Sequence, residues 1–81
     1  MLSEIQIKKI VLNLIPNDKD SKYILNNVDD QNNVLQYLTD NGKMLFEDDY
    51  CGENHYQSLF RINDNYIVVD NWKSKMRIKK T

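Results

Sequence analysis

Cysteine, proline, glycine and tryptophan are scarce in this sequence, which has one, one, two and one of them. The single cysteine, Cys51, excludes an intramolecular disulfide, and a small domain without disulfides is typical of a reducing compartment. The two glycines, Gly42 and Gly52, lie ten residues apart, so the glycine patterns that cradle nucleotide phosphates are impossible. These shortages exclude the usual nucleotide sites and predict a cytoplasmic protein.

Long apolar runs are also missing. The longest nearly apolar run, Ile10 to Ile15, is interrupted by Asn13, whereas a bilayer-spanning helix needs about 20 apolar residues. Charged residues such as Glu4 and Lys8 punctuate the start, so a secretory signal peptide is not expected. The sequence therefore predicts neither a transmembrane helix nor secretion.

The residues that are present indicate one folded domain, residues 1–81. The apolar share of 41% and the charged share of 28% are ordinary for globular proteins. A chain of this length buries only about 60% of its unfolded surface, so a deep substrate cavity would cost too much stability. Asparagine occurs eleven times, and its codons, like those of lysine and isoleucine, suggest an AT-rich bacterial or viral genome. We expect a protein that works through its surface, inside a bacterial cell.

Helical spacing dominates the first half of the chain. Ser3 and Gln6 have capping-box spacing and predict a helix over about 4–15, ended by Pro16. Its apolar residues form two stripes: the first contains Ile7, Val11, Leu14 and Ile15, and the second contains Ile5 and Leu12. The second stripe belongs either to the core or to a contact with another chain, and in the latter case we predict a homodimer through Ile5 and Leu12.

The next segment, 21–28, could form either a short helix or an edge strand, and helix is the preferred interpretation. Asp29 and Asp30 are predicted to cap a second helix that runs through Leu38. Asn41 and Gly42 are predicted to end that helix in the left-handed conformation.

After Gly42 the spacing changes to alternation. Strands are predicted at 44–47, 56–62, 66–70 and 74–79, with turns between them. Helices followed by strands predict an α+β fold, with two or possibly three helices over about 3–40. They would pack on one face of an antiparallel meander of three or four strands over about 43–80.

One thiol and one imidazole, Cys51 and His55, lie four residues apart among carboxylates, which is how a cysteine nucleophile and its base could be arranged. The spacing matches no established nucleophile motif, and nothing nearby suggests an oxyanion hole. A structural zinc site would need two carboxylates to complete its ligands. We therefore predict no catalytic residue, no metal and no cofactor.

Acids and aromatics cluster in one stretch, which we name the acidic-aromatic segment: Phe46, Glu47, Asp48, Asp49, Tyr50, Glu53 and Tyr56. Carboxylates can steer a basic partner, and aromatic side chains often dominate binding energy. This segment is the predicted partner-binding site. A solvated turn without function is the plainer interpretation.

Cations cluster at the other end, around Trp72. This alternative site contains Trp72, Lys73, Lys75, Arg77 and Lys79. On a strand, the last three would project from one face and Met76 and Ile78 from the other. Such a stripe could bind a nucleic-acid backbone while the indole stacks on a base, although lysines on an edge strand also prevent aggregation.

In its small size, its asparagine- and lysine-rich composition and its lack of catalytic machinery, the chain resembles the inhibitors that phages and mobile elements make against host defence, anti-CRISPR proteins among them. The resemblance is one of general character and assigns no residue. It implies a stoichiometric inhibitor of a larger protein or ribonucleoprotein complex such as a nuclease. Immunity proteins that neutralise toxins are of similar size and would bind their target in the same stoichiometric way. The alternative function is that of a nucleic-acid-binding regulator.

Overall fold

The computed structural model describes residues 1–50 and 54–81, and it describes side chains for 1–48 and 54–81. The elements are α1 (Glu4–Asn13), β1 (Lys22–Leu25), α2 (Val28–Asn41), β2 (Lys43–Tyr50), β3 (His55–Ile62), β4 (Asn65–Trp72) and β5 (Lys75–Lys80). The strands form one antiparallel sheet in the order β1-β5-β4-β3-β2. The predicted α+β class is confirmed, with five strands instead of three or four.

Helix α1 begins as the sequence predicts. The Ser3 hydroxyl accepts a hydrogen bond from the Gln6 backbone N–H, and the Ser3 N–H donates to the Gln6 side chain. The helix ends at Asn13, two residues before the predicted end, and Leu14 is already extended. Ile15 directly precedes Pro16, and the residue before a proline disfavours the helical conformation. Within the described ranges, neither α1 nor α2 is long and apolar enough to cross a bilayer.

The helix prediction for 21–28 is wrong, because Lys22–Leu25 forms the edge strand β1 against β5. Its side chains alternate poorly: Tyr23 and Ile24 are both partly exposed, and only Leu25 is buried. Pairing with β5 joins segments more than fifty residues apart in sequence, and the spacing of eight local residues does not encode such a contact.

Helix α2 has a different start from the predicted one. Its N-cap is Asn27, whose side chain accepts a hydrogen bond from the Asp30 N–H. Asp29 and Asp30 lie in the first turn, where carboxylates favour the positive end of the helix dipole. The helix continues to Asn41, three residues past the predicted end at Leu38.

Gly42 ends α2, but the predicted left-handed conformation is wrong, since its φ is −131°. Glycine is required at this position because atoms of Arg61 and Ile62 approach its α-carbon closely. A β-carbon there would lie 2.6 Å from the carbonyl oxygen of Arg61 and 3.1 Å from the β-carbon of Ile62. The missing side chain lets the start of β2 pass directly beside the end of β3.

We expect Gly42→Ala to lower the free energy of unfolding by about 1–3 kcal/mol, because the added methyl group must displace backbone atoms. Urea unfolding followed by circular dichroism measures the change. Asn32→Ala, at an exposed position of α2, is the control and should leave stability within about 0.5 kcal/mol. Equal stability of wild type and Gly42→Ala would show that the backbone accommodates the methyl group freely.

The core lies between the helices and one face of the sheet. It contains Ile7, Val11, Leu14, Leu25, Val34, Leu38, Phe60, Ile62, Ile67, Val69, Met76 and Ile78. Ile15, predicted in the first stripe of α1, is 56% exposed because it lies beyond the helix. Ile5 and Leu12 are 70% and 60% exposed, so the second stripe does not belong to the core. The homodimer through that stripe stays a prediction.

The other side of the sheet, which we name the open face, has neither of the described helices against it. Cross-strand partners share a face, and side chains alternate along each strand. Met76 and Ile78 are buried in the core, so Lys75, Arg77 and Lys79 lie on the open face, as the sequence predicts.

Candidate functional site

Most of the acidic-aromatic segment lies on strand β2 rather than in a loop. The prediction ended this strand at Glu47, whereas β2 continues to Tyr50 because its backbone keeps pairing with β3 up to His55. Cys51, Gly52 and Glu53 lie outside the described residues, as do the side chains of Asp49 and Tyr50. A turn was therefore the wrong expectation for Asp48, whereas Glu47 lies in a strand as predicted.

Alternation divides the segment between the two faces of the sheet. Phe46 and Asp48 pair with Leu59 and Gln57 and share the open face with them. Glu47 pairs with Ser58, on the opposite face. Tyr56, 41% exposed, also lies on that opposite face, as the partner of Asn71. The side chains of the acidic-aromatic segment therefore lie on both faces of the sheet and do not form one continuous surface.

The start of β2 exposes three consecutive apolar side chains. Met44, Leu45 and Phe46 are 49%, 45% and 57% exposed. The register shifts between Met44 and Phe46, so Leu45 is the extra residue of a β-bulge. From Phe46 onward the pairing with β3 is continuous. Sequence analysis missed Met44 and Leu45 as site residues, although three successive apolar residues on one strand cannot all face the same core.

The outer side of β2 is the long free edge of the sheet. β2 has eight residues, whereas the opposite edge strand, β1, has four. Beyond the helices and strand pairs, no backbone hydrogen bond among the described residues involves β2. Edge strands with unpaired N–H and C=O groups are templates for another strand, and short edges such as β1 are protected.

The alternative site is built around Trp72, at one end of the open face. The His55 ring stacks on the Trp72 ring with centroids 5.3 Å apart, and His55 Nε2 bonds to Asp70 Oδ1. The Lys73 ammonium lies 4.5 Å from the Trp72 ring centroid, a cation–π distance. These contacts fix the indole and the imidazole in one orientation.

Lys73 and Ser74 form the two-residue turn between β4 and β5. Both have positive φ, 52° and 62°, a conformation that non-glycine residues adopt at a cost of about 1–2 kcal/mol each. The turn returns the chain so that Trp72 pairs with Lys75. Trp72, Lys73 and Lys75 thus lie together, and Arg77 and Lys79 continue along β5.

His55 is bonded to Asp70 and stacked on Trp72, while Cys51 lies outside the described residues. Among the described residues, no three His, Cys, Asp or Glu side chains converge as a metal site would require.

Two surfaces of the described chain are thus candidates for function: the β2 edge and the open face. Function is inferred from their geometry and chemistry, because no protein-family model matches this chain, and neither curated proteins nor solved structures provide a match.

Proposed function

We propose that this protein is a non-enzymatic binding module that docks the β2 edge onto a larger protein or ribonucleoprotein complex and inhibits it stoichiometrically. A defence nuclease of a bacterial host is the proposed kind of target, in line with the resemblance to anti-CRISPR proteins. The observation that supports the proposal is the exposed apolar run Met44, Leu45 and Phe46 on the unpaired long edge.

The edge favours strand addition as the mode of binding. An extended segment of the partner would pair with β2 through main-chain hydrogen bonds, while alternate side chains supply specificity. The continuous register from Phe46 to Tyr50 leaves five residues of regular strand for this pairing. Leu45 and Phe46 would lose their exposed apolar area to the partner, which is favourable by about 25 cal/mol per Å².

Two acidic residues that follow the exposed apolar residues of β2 favour binding to a basic partner. Glu47 and Asp48 are exposed and directly follow Phe46. Two copies of β2 paired with each other would place these carboxylates close together, and like charges across strands are destabilising. A partner segment with lysine or arginine instead gains attraction and faster association. The proposed partner therefore presents an extended segment with apolar and basic side chains.

Affinity capture from bacterial lysates, with and without phage infection, tests this function. Immobilised wild type should retain a protein in stoichiometric amount, and Leu45→Lys with Phe46→Glu should lose it. The matched control is Ile5→Glu with Leu12→Lys, two similarly exposed apolar residues on α1, which should retain the protein. Equal capture by the β2 variant and the wild type would contradict the β2 edge as the docking site.

A further inference from the structure

The net charge of −1 conceals a strong separation of charge between the open face and the rest of the chain. The open face has six cations, namely Lys22, Lys43, Arg61, Lys75, Arg77 and Lys79, and two acids among the described side chains, Asp48 and Asp70. Its formal charge is therefore +4, which leaves −5 for the rest of the sequence. The positive charge of this face attracts anions.

Within the described residues, no cation of this face forms a salt bridge with an acid. Among the described residues, the salt bridges involve only the N-terminus with Asp30 and His55 with Asp70. Lys22 and Lys79 are direct cross-strand partners, an arrangement of like charges that lowers stability. The repulsion would be relieved by an anionic ligand that lies across β1 and β5.

Aromatic rings share the face with these cations. Trp72 and Tyr66 lie on it at opposite ends of β4, and Tyr66 is 41% exposed. Phe46, on β2, adds a ring that is 57% exposed. Flat rings among cations are the platform on which unpaired bases stack while the backbone phosphates contact lysine and arginine.

A shallow recess lies along the same face. It has a volume of about 320 Å³ and is lined by Asn17, Asp18, Lys19, Gln57, Val68, Lys79, Lys80 and Thr81. Its volume is at the lower end of that of small-molecule sites. Lys80 is buried and pairs with Ile67 on the core face. Lys19 and Lys79 remain against one acid, so the recess suits one phosphate-bearing unit of a larger ligand better than a neutral molecule.

We propose that the open face binds single-stranded nucleic acid. The phosphates would contact the cations of β1 and β5. One base would stack on Tyr66, and a second would take the place of the Lys73 ammonium over the Trp72 ring. A duplex is a poorer ligand, because its bases already stack on one another and cannot lie flat on the sheet. The strands that would hold this ligand, β1, β4 and β5, do not include β2, so the two proposals can fail independently.

Fluorescence anisotropy with a labelled 12-nucleotide oligothymidylate at 50 mM salt tests the proposal. We expect binding that weakens steeply as salt rises, because counterions are released from the phosphates. Arg77→Glu with Lys79→Glu should weaken affinity at least 10-fold and flatten the salt dependence. Trp72→Ala should weaken it by about 10-fold, in the range of one lost base stack, while Trp72→Phe retains most of the binding.

The matched control is Lys8→Glu with Lys9→Glu on α1, which makes the same change in net charge at exposed positions away from the open face. It should alter affinity less than 2-fold. Circular dichroism of each variant establishes that the fold is kept. The proposal is overturned if the oligonucleotide does not bind at micromolar protein, if the α1 control weakens binding equally, or if polyglutamate binds as tightly as the oligonucleotide.

Discussion

Alanine at both Leu45 and Phe46 is expected to weaken the affinity for the captured partner by about 100-fold or more. Both side chains are about half exposed on the free edge, so they are available to fill pockets of a partner. A central apolar or aromatic anchor typically contributes about 2 kcal/mol, and 1.4 kcal/mol corresponds to a factor of ten. Isothermal titration calorimetry with the purified partner measures the loss.

The same double variant should keep its fold, since substitutions at exposed positions usually change stability by about 0.5 kcal/mol or less. Ile5→Ala with Leu12→Ala removes comparable apolar surface from α1 and should leave the affinity unchanged. If the α1 pair weakens the complex and the β2 pair does not, the partner docks on the helix and the proposed edge is wrong.

Ile67→Ala is expected to have the largest effect on stability. Ile67 is fully buried on the central strand β4, where it pairs with Phe60 of β3 on the core face. Truncation to alanine should lower the free energy of unfolding by about 2–5 kcal/mol, through lost apolar burial and the cavity that remains. A domain of this length has a total of only about 4–12 kcal/mol.

Urea unfolding measures this effect, with Ile24→Ala as the control. Ile24 is 43% exposed on the edge strand β1, and its truncation should cost less than about 1 kcal/mol. A loss below 1 kcal/mol at Ile67 would mean that β4 does not lie at the centre of the core.

The sequence predicts those elements that depend on local chemistry. The capping box of Ser3 and Gln6 is a short-range hydrogen-bond pattern, and it marks the start of α1 correctly. The strands of the second half alternate strongly enough to be recognised, with every end placed within three residues. Strand β1 was only the second choice for 21–28, after a helix, because its existence depends on β5, more than fifty residues away in sequence.

The candidate surfaces were harder to predict, because they depend on strand order. Nothing local in the sequence shows that β2 is the outermost strand, yet this position is what exposes Met44 and Leu45. Similarly, Lys22 and Arg61 join the cations of β5 only through the register of β1, β3 and β4. The sequence located the charges, but only the fold shows which of them share a face.

Amide hydrogen exchange of β2, free and in complex with the captured partner, tests strand addition most directly. The outward-facing amides of residues 43–50 have no strand beyond them and should exchange rapidly in the free protein. In the complex, alternate amides of this strand should slow by at least 10-fold, because each gains a main-chain hydrogen bond. Unchanged exchange along β2, with new protection confined to α1 or to the turn at Lys73 and Ser74, would contradict docking at the β2 edge.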